Sequence, residues 1–354
     1  MTVTPIPDAR RETWTATVLN PDGTQIPLAM DQDQPARLTW KQTDQSPIGA
    51  TLACHGTPPE LRHGQLVLLA YKANGTSYPL PPLVPVIDKP IYELSGRWFS
   101  LDLIDQTINL AADGIDFPAV YDAGTPIVAK VRQVIAASDP DLAVVLPSLD
   151  YTLRNPLDFP ISTSPLAIVA KLLDAAGATP LAPSPDDGLL RSDAWLPPSA
   201  RPVRMKFGPS VLAEHAGYLP GVDVVNDYLA APNVGHFVAD GSAKADQLVG
   251  RWRDEAPSSP WGVPKRGRII ATDKGEAATQ TIADEKAMRL VIEARGRGRK
   301  ATITGGFQPV WPGHIITTDY PEHPDLSAKW EVTEVAVDTR LGSNMTWTLL
   351  EVIG

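Results

Sequence analysis

The chain has 354 residues, of which 43% are hydrophobic and 20% are charged, and this balance excludes a wholly disordered or fibrous protein. Its 36 prolines are roughly twice the usual share, which excludes a large helical bundle and predicts many short elements joined by loops. The net charge of −10 argues against a protein whose main role is to grip nucleic acid or an anionic membrane surface.

Cysteine content and hydropathy exclude further classes of protein. A single cysteine, Cys54, excludes an intrachain disulfide and a cysteine-rich zinc site. No apolar run reaches the length of a membrane span, and the N-terminus shows no basic segment followed by an apolar run. We therefore expect a protein that is synthesised and folds in a reducing cytoplasm.

The first hundred residues read as short strands separated by turns. Residues 13–19 and 25–28 flank the turn Asn20-Pro21-Asp22-Gly23, which is typical of a β-hairpin. Alternation of apolar and polar residues predicts further strands at 36–41, 65–71 and 98–104. Strands at this spacing favour a small barrel or sandwich.

Helical signals appear in the middle of the chain. Thr125-Pro126 and Ser164-Pro165 each precede an apolar pattern of helical period, which predicts two helices with an N-cap and a proline in the first turn. The second ends at Gly177. A proline-rich stretch from 179 to 202 then predicts an extended linker.

The last third again reads as strands, with one long helix among them. Strands are predicted at 203–207, 235–241, 247–252, 301–307, 314–320, 329–338 and 345–352. Asp273 and Glu276 resemble a capping box at the start of a helix over 276–295, with Gly296 as its C-cap. In 329–338, alternation places Val332 and Ala336 on one face and Val335 and Val337 on the other.

The fold class predicted from this order is α+β and β-rich, with β-barrel-like domains and a mixed helix and strand insertion. Residues 1–106 form a β-barrel-like domain that is completed by strands around 200–235. Residues 107–199 form a mixed helix and strand domain. Residues 236–354 form a second β-barrel-like domain that carries the long helix.

We find no catalytic constellation in the sequence. Cys54 and His55 are adjacent on a predicted strand, so their side chains point to opposite faces, and a small buried thiol is the preferred interpretation. The acidic pairs Asp102 with Asp105 and Asp186 with Asp187 carry no specific signal. The sequence predicts neither an enzyme nor a cofactor or metal site.

One basic segment stands out in the acidic chain. Between Lys265 and Lys300 there are ten Lys or Arg and five Asp or Glu, and the densest part holds Arg295, Arg297, Arg299 and Lys300. These four residues are candidates for a contact with a polyanion or with another subunit. Alternatively, cations at the end of a helix complement its dipole and pair with an acidic neighbour.

The order of motifs in the second half resembles the tail hub proteins of long-tailed bacteriophages. Their family includes baseplate hubs and the tail-associated minor tail proteins of siphophages that infect actinobacteria. The motifs are Ala231-Pro232-Asn233-Val234, residues 258–263, the long helix, Pro309-Val310-Trp311-Pro312-Gly313-His314-Ile315, and residues 329–335 and 346–352. His314 stands where the family often has Asp. The first half fits the family more loosely.

The resemblance implies a structural protein of the virion, located at the tail tip, whose two barrel-like domains are tail-tube-like β-barrel domains. A homotrimeric ring would adapt the hexameric tail tube to the tip and form the channel for genome ejection. Its implied partners are the distal tail protein or tail tube, the tape-measure protein, tail fibres or other minor tail proteins, and DNA that passes the lumen without specific binding. Direct membrane insertion is not implied.

Two other functions stay open at this point. A host receptor-binding or adhesin module would be built from similar β-domains. A cell-wall or glycan hydrolase would need two convergent carboxylates with separated pKa values, and no motif points to such a pair.

Overall fold

The structure is a computed structural model that describes most of the chain. It covers residues 11–33, 37–42, 47–86, 91–92, 98–112, 114–208, 221–224, 231–240, 247–257, 259, 261–295, 299–319, 327–340 and 344–352. The β-rich α+β class is confirmed, with 18% of the chain in helix and 41% in strand.

The N-terminal strands follow the hairpin signals. They are β1 Glu12–Leu19, β2 Gln25–Leu28, β3 Arg37–Lys41, β4 Ile48–His55, β5 Leu66–Ala73, β6 Thr76–Pro79, β7 Leu83–Pro85, β8 Ile91–Tyr92 and β9 Trp98–Asp105. β1 and β2 form the predicted hairpin, with Val18 opposite Ile26. Gly23 has a φ of +83°, a conformation that glycine adopts without steric cost.

The middle of the chain contains short strands and helices. They are α1 Ile108–Ala111, β10 Ala119–Tyr121, α2 Ile127–Ser138, β11 Val144–Val145, β12 Leu157–Phe159, α3 Pro165–Ala175, β13 Ala182–Pro183 and β14 Leu190–Arg191. Ser164 caps α3 as predicted, because its Oγ accepts a hydrogen bond from Ala167 N–H and Pro165 occupies the first turn. Pro126 is itself the N-cap of α2, one residue later than predicted.

The remaining elements complete the β-structure. They are β15 Val203–Phe207, β16 Gly221–Val224, β17 Val234–Ala239, β18 Val249–Arg253, α4 Val263–Arg266, β19 Ile270–Gly275, α5 Gln280–Arg295, β20 Arg299–Gly305, β21 Ile315–Thr318, β22 Lys329–Asp338 and β23 Met345–Glu351. The predicted start of the long helix at 276 is wrong. Asp273 lies in β19, which pairs with β17, and Thr279 Oγ1 accepts from Ile282 N–H at the true start. The predicted C-cap, Gly296, lies outside the described residues.

Strands from both ends of the sequence form one large sheet. In the described residues its order is β16-β20-β23-β22-β3-β4-β9-β7-β5-β1-β2, with β21 beside β22 and β15 beside β21. The two halves meet where β22 pairs with β3, with Val335 opposite Trp40. β3 is an edge strand of the N-terminal half, whereas β22 pairs with β21 through its first residues and with β3 through its last ones. The described strands form an open sheet rather than the closed barrels expected from the sequence.

The strands that follow the middle segment join the C-terminal half of this sheet. β15 pairs with β21 and β16 pairs with β20. Completion of the N-terminal domain by strands around 200–235 stays a prediction. The domain boundaries at 106, 199 and 236 stay a prediction.

A β-bulge in β22 changes which side chains face the core. The register against β23 shifts between Val332 and Glu334. Trp330 and Val332 are buried before the shift, and Val335 and Val337 are buried after it. The predicted division of this strand into two faces by simple alternation is therefore wrong, because an extra residue reverses the alternation.

A small sheet and α5 form a separate layer whose glycines allow an unusually close approach. The order of this sheet is β18-β17-β19. A Cβ atom at Gly250 would lie 1.8 Å from Ala283 O, and one at Gly235 would lie 2.0 Å from Ala287 O. Since both oxygens belong to the backbone of α5, the helix lies directly on the sheet where these two residues have no side chain.

This small layer also packs against the middle segment. Lys286 on α5 is 9% exposed, and its Nζ lies 2.6 Å from Asp174 Oδ2 beside the end of α3. The same Nζ donates to Glu276 O, and Ala278 N–H donates to Ala175 O. A buried ammonium group held in this way fixes α5 relative to α3.

Candidate functional site

The structure separates the residues that could have formed a thiol nucleophile and its base. Cys54 is fully buried, and burial raises the pKa of its thiol to about 12. His55 points to solvent, where its Nε2 lies 3.4 Å from Asp31 Oδ2. The interpretation of Cys54 as a small buried thiol is confirmed, because a thiolate does not form there at neutral pH.

The acidic pairs considered in the sequence have separate structural partners. Asp102 is exposed and accepts from Thr51 Oγ1, whereas Asp105 is fully buried and accepts from Ile48 N–H. Asp186 and Asp187 form ion pairs with Arg204 and Arg191, respectively. The four carboxylates therefore have four different partners.

Within the described ranges, no group of three or more His, Cys, Asp or Glu side chains is placed to hold a metal ion. No helix in that part of the chain is long and apolar enough to cross a membrane.

The basic candidates at the end of α5 fall in different environments. Arg295 is 6% exposed, and its Nη2 lies 2.7 Å from Asp254 Oδ2. Lys300 is exposed on β20, opposite Leu350. Arg297 lies outside the described residues, and only the backbone of Arg299 is described, in β20. A contact of these four residues with a polyanion or another subunit stays a prediction.

Arg295 lies in a closed aromatic and polar pocket. Its guanidinium is 5.3 Å from the Trp252 ring and 5.6 Å from the Trp261 ring, and its Nε donates to Pro232 O. Both members of the ion pair with Asp254 are nearly inaccessible to solvent. The pair therefore serves to fix the end of α5 against β17 and β18.

The carboxylate of Asp254 is held in its charged form. Burial alone raises its pKa, but hydrogen bonds from Ser259 Oγ and Ala256 N–H and the charge of Arg295 together keep that pKa below its ordinary value. The charge on Asp254 is thus present at any pH at which the carboxylate would ionise in water.

Two of the sequence motifs meet at this pocket. The side chain of Asn233 is fully buried and donates from Nδ2 to the carbonyl oxygens of Trp261 and Gly267. Its Oδ1 accepts from Ile269 N–H. Motif residues near 233 and 261 are therefore joined by one buried amide that ties the loop around α4 to the start of β17.

A second connection joins the linker after the middle segment to the large sheet. Arg201 Nη1 lies 2.6 Å from Glu331 Oε1 on β22, and Gln42 Nε2 donates to the same oxygen at 3.1 Å. Lys329 Nζ donates to Ser199 O at 2.7 Å. These contacts hold the linker beside the junction of the two halves of the sheet.

His314 is held neutral in a tight turn of the motif at 309–315. Trp311 N–H donates to His314 Nδ1 at 3.1 Å, and Gly313 beside it has a φ of +85°. Burial, reinforced by the nearby positive charge of Arg204, lowers the pKa of His314 to about 4. The folded chain therefore keeps this imidazole uncharged at neutral pH.

This arrangement predicts a loss of stability in mild acid. Between about pH 6.5 and pH 4 the unfolded chain binds a proton at His314 that the folded chain does not, so the free energy of unfolding falls by up to about 3 kcal/mol. In His314→Asn, the amide oxygen can still accept from Trp311 N–H but does not titrate. Urea unfolding of both proteins from pH 7 to pH 4 should show a weaker pH dependence in the variant; equal dependence in both would contradict the assignment.

The fold resembles those of solved tail proteins, two of which come from prophages. It is similar to a tail protein from Neisseria meningitidis, with a TM-score of 0.64 and 15% identity over 96% of each chain. It is also similar to the 43 kDa tail protein of prophage MuSo2 from Shewanella oneidensis (TM-score 0.57, 11% identity, 96% of this chain and 98% of that one). A third similar structure is prophage tail protein gp18 from Listeria monocytogenes (TM-score 0.57, 12% identity, 95% of this chain and 94% of that one).

No protein-family model and no curated protein sequence matches the chain. At identities this low, the similarity establishes the fold. The chain therefore shares its fold with solved tail proteins, and the siphophage hub assignment stays a prediction.

The pocket around Arg295 could not be assembled from the sequence. Charge density drew attention to the basic segment, but the partner Asp254 lies 41 positions earlier. The one usable signal was the pair of tryptophans, Trp252 and Trp261, on either side of that aspartate, since aromatic faces often receive a buried arginine.

Proposed function

We propose that the chain is the structural tail-tip hub of a bacteriophage of the siphophage type that infects actinobacteria. Three copies form a ring beneath the hexameric tail tube and adapt it to the tip and its fibres. The channel through the ring passes the tape-measure protein and then DNA. This role is mechanical and requires neither a catalytic site nor a cofactor.

The observation that carries the proposal is the junction of the large sheet at β3 and β22. It joins two β-rich halves, one from each end of the sequence, through the pairing of Val335 with Trp40. Three copies then supply six such halves, which is the number needed to meet a six-fold tube. The similarity to solved tail proteins over 95% or more of the chain supports this role.

The charge of the chain is compatible with a channel for DNA. Proteins that bind DNA attract its phosphate backbone with Lys and Arg side chains, whereas this chain has a net charge of −10. We propose that the channel surface shares this sign and therefore does not retain DNA as it passes.

Gold labelling of particles tests the position of the protein. Antibodies against the full chain are applied to intact particles and to tails detached from heads, and electron micrographs are scored for the site of the gold. We expect label at the end of the tail distal to the head, with the chain retained in detached tails. Label spread along fibres, together with host-cell binding by the isolated protein, would favour an adhesin. Absence from the particle would contradict any tail role.

A further inference from the structure

The small sheet has one face covered by α5 and an opposite face that carries exposed side chains. Gly235, Phe237 and Gly250 lie on the covered face, because the first and third approach the helix backbone and Phe237 is buried in the same cluster. The strand pairings place on the opposite face the buried Val234, the half-buried His236 and the exposed Thr272, together with six further residues: Val238, Val249, Arg251, Arg253, Ile270 and Lys274. We call these six further residues the basic sheet face.

The basic sheet face combines three cations with the exposed Ile270 and the half-buried Val238 and Val249. Arg251, Arg253 and Lys274 are exposed, and Ile270 is 51% exposed. Arg253 lies 3.3 Å from Glu255, whereas in the described part of the chain Arg251 and Lys274 form no ion pair. β19 is also an edge strand of the described sheet. In a chain of net charge −10, a face of this kind is complementary to a partner surface that is both acidic and apolar.

The middle segment carries a surface of the complementary kind. Val120 on β10 lies directly opposite Asp158 on β12, and both are exposed. Phe117 is 79% exposed, Val120 is 59% exposed and Ile161 is 56% exposed. Asp116 is exposed beside Phe117. We call these five residues the acidic tip.

The charge of the whole middle segment agrees with that of its tip. Residues 107–199 contain eleven Asp, no Glu and five Lys or Arg. Asp116 and Asp158 form no ion pair in the described part of the chain. The nearby cations Lys130 and Lys171 lie over the Tyr121 and Phe159 rings, whose residues alternate with Val120 and Asp158 on their strands. The tip is therefore free to meet a positive partner.

We propose that the acidic tip of one copy docks on the basic sheet face of the next copy around the ring. This inference rests on the proposed ring and adds the surfaces that join its subunits. The contact is heterologous, since two different patches meet, and repetition of such a contact closes into a ring when its rotation allows. A nucleic acid fits the face less well, because a phosphate backbone offers no apolar surface to cover Ile270 and its valine neighbours.

Charge reversal tests the contact. Arg251→Glu/Lys274→Glu changes the sheet face, and Asp116→Lys/Asp158→Lys changes the tip. We expect each double variant to raise the concentration of half-association at least about tenfold in low salt. A one-to-one mixture of the two variants should recover part of the association, because the reversed face of one protein then meets the reversed tip of the other.

A matched control and a folding check accompany these variants. Lys72→Glu/Arg132→Glu reverses two exposed cations on β5 and α2, outside both surfaces, and should leave association unchanged. All changed side chains are exposed, so thermal unfolding should match that of the unchanged protein. Association is measured by sedimentation equilibrium of the full chain.

Disulfide trapping tests which surfaces meet. Val120→Cys and Thr272→Cys are made in separate proteins and mixed under mild oxidation; Thr272 lies two residues from Ile270 on β19. The native Cys54 is fully buried and does not interfere. We expect mixed disulfides between the two proteins. Predominant Val120→Cys homodimers would indicate a contact between two tips and would overturn the proposal.

The outcomes separate this inference from the proposed function. A trimer that is insensitive to both reversals overturns the docking of tip on face and leaves the ring intact. In another outcome, the sheet-face variant loses binding to a short DNA duplex while its self-association is unchanged. That result would assign the basic sheet face to a polyanion and would also overturn the docking of tip on face. A chain that stays monomeric at every concentration overturns the inference, and its absence from the tail end in gold labelling contradicts the hub as well.

Discussion

Asp254→Asn is expected to lower the free energy of unfolding by about 3–5 kcal/mol, although the change removes only a charge. The amide oxygen of Asn can still accept from Ala256 N–H, but Arg295 then remains as an uncompensated charge among Trp252 and Trp261. Burial of an unpaired guanidinium is costly because water cannot replace the lost partner. Urea unfolding at pH 7 measures the loss.

The surface pair of Arg289 with Glu293 on the same helix supplies the control. Glu293→Gln removes one charge from an ion pair of 2.6 Å whose carboxylate is 59% exposed, and we expect a loss of less than about 0.5 kcal/mol. The double variant Asp254→Asn/Arg295→Met should recover much of the stability lost in Asp254→Asn. A loss below about 1 kcal/mol in Asp254→Asn would show that the pair does not fix α5.

Gly250→Ala is expected to cost about 3 kcal/mol or more, at the upper end of the range for overpacking. The new methyl group would lie 1.8 Å from Ala283 O, which belongs to the helix backbone and cannot rotate away as a side chain can. The whole of α5 must therefore move off the sheet, with loss of the packing around Ala283, Ala287 and Val291. Thermal and urea unfolding of the variant measure the effect.

Gly275→Ala is the matched control for this change. Gly275 lies on the neighbouring strand β19, where a Cβ atom would make ordinary contact at 3.5 Å with the end of the Phe237 ring. We expect a change of less than about 0.5 kcal/mol. Similar losses in Gly250→Ala and Gly275→Ala would mean that the helix is free to shift, contrary to the close packing described.

Local sequence signals predicted the strands and caps that depend on near neighbours. The hairpin of β1 and β2, the strand Val203–Phe207 and the cap of α3 at Ser164 follow from turn residues and alternation within a few positions. These features depend little on the rest of the fold, because the residues that form them are close in sequence. Much of the β-rich class could therefore be inferred before pairing was known.

Features that depend on distant partners were missed or misplaced. The pairing of Val335 with Trp40 joins residues that are 295 positions apart. Neither strand carries a local sequence signal that identifies the other as its partner. The bulge near Thr333 and the delayed start of α5 follow from pairing with neighbouring strands rather than from local preference.

In the candidate site, too, local features could be predicted from the sequence and contacts between distant residues could not. The sequence identified a basic segment and an inert Cys54, but it placed Arg295 with three other cations as one group. In the fold Arg295 is buried with Asp254, whereas Lys300 is exposed on a separate strand. Charge density along the chain cannot distinguish these two environments, because burial is set by elements far away.

Cryo-electron microscopy of intact particles tests the hub proposal most directly. A reconstruction of the tail tip, computed without imposed symmetry, gives the number of copies and the placement of the large sheet. We predict three copies beneath the last hexameric layer, with both halves of each sheet around the channel. Six copies, or a chain attached outside the tube with no part at the channel, would contradict the account.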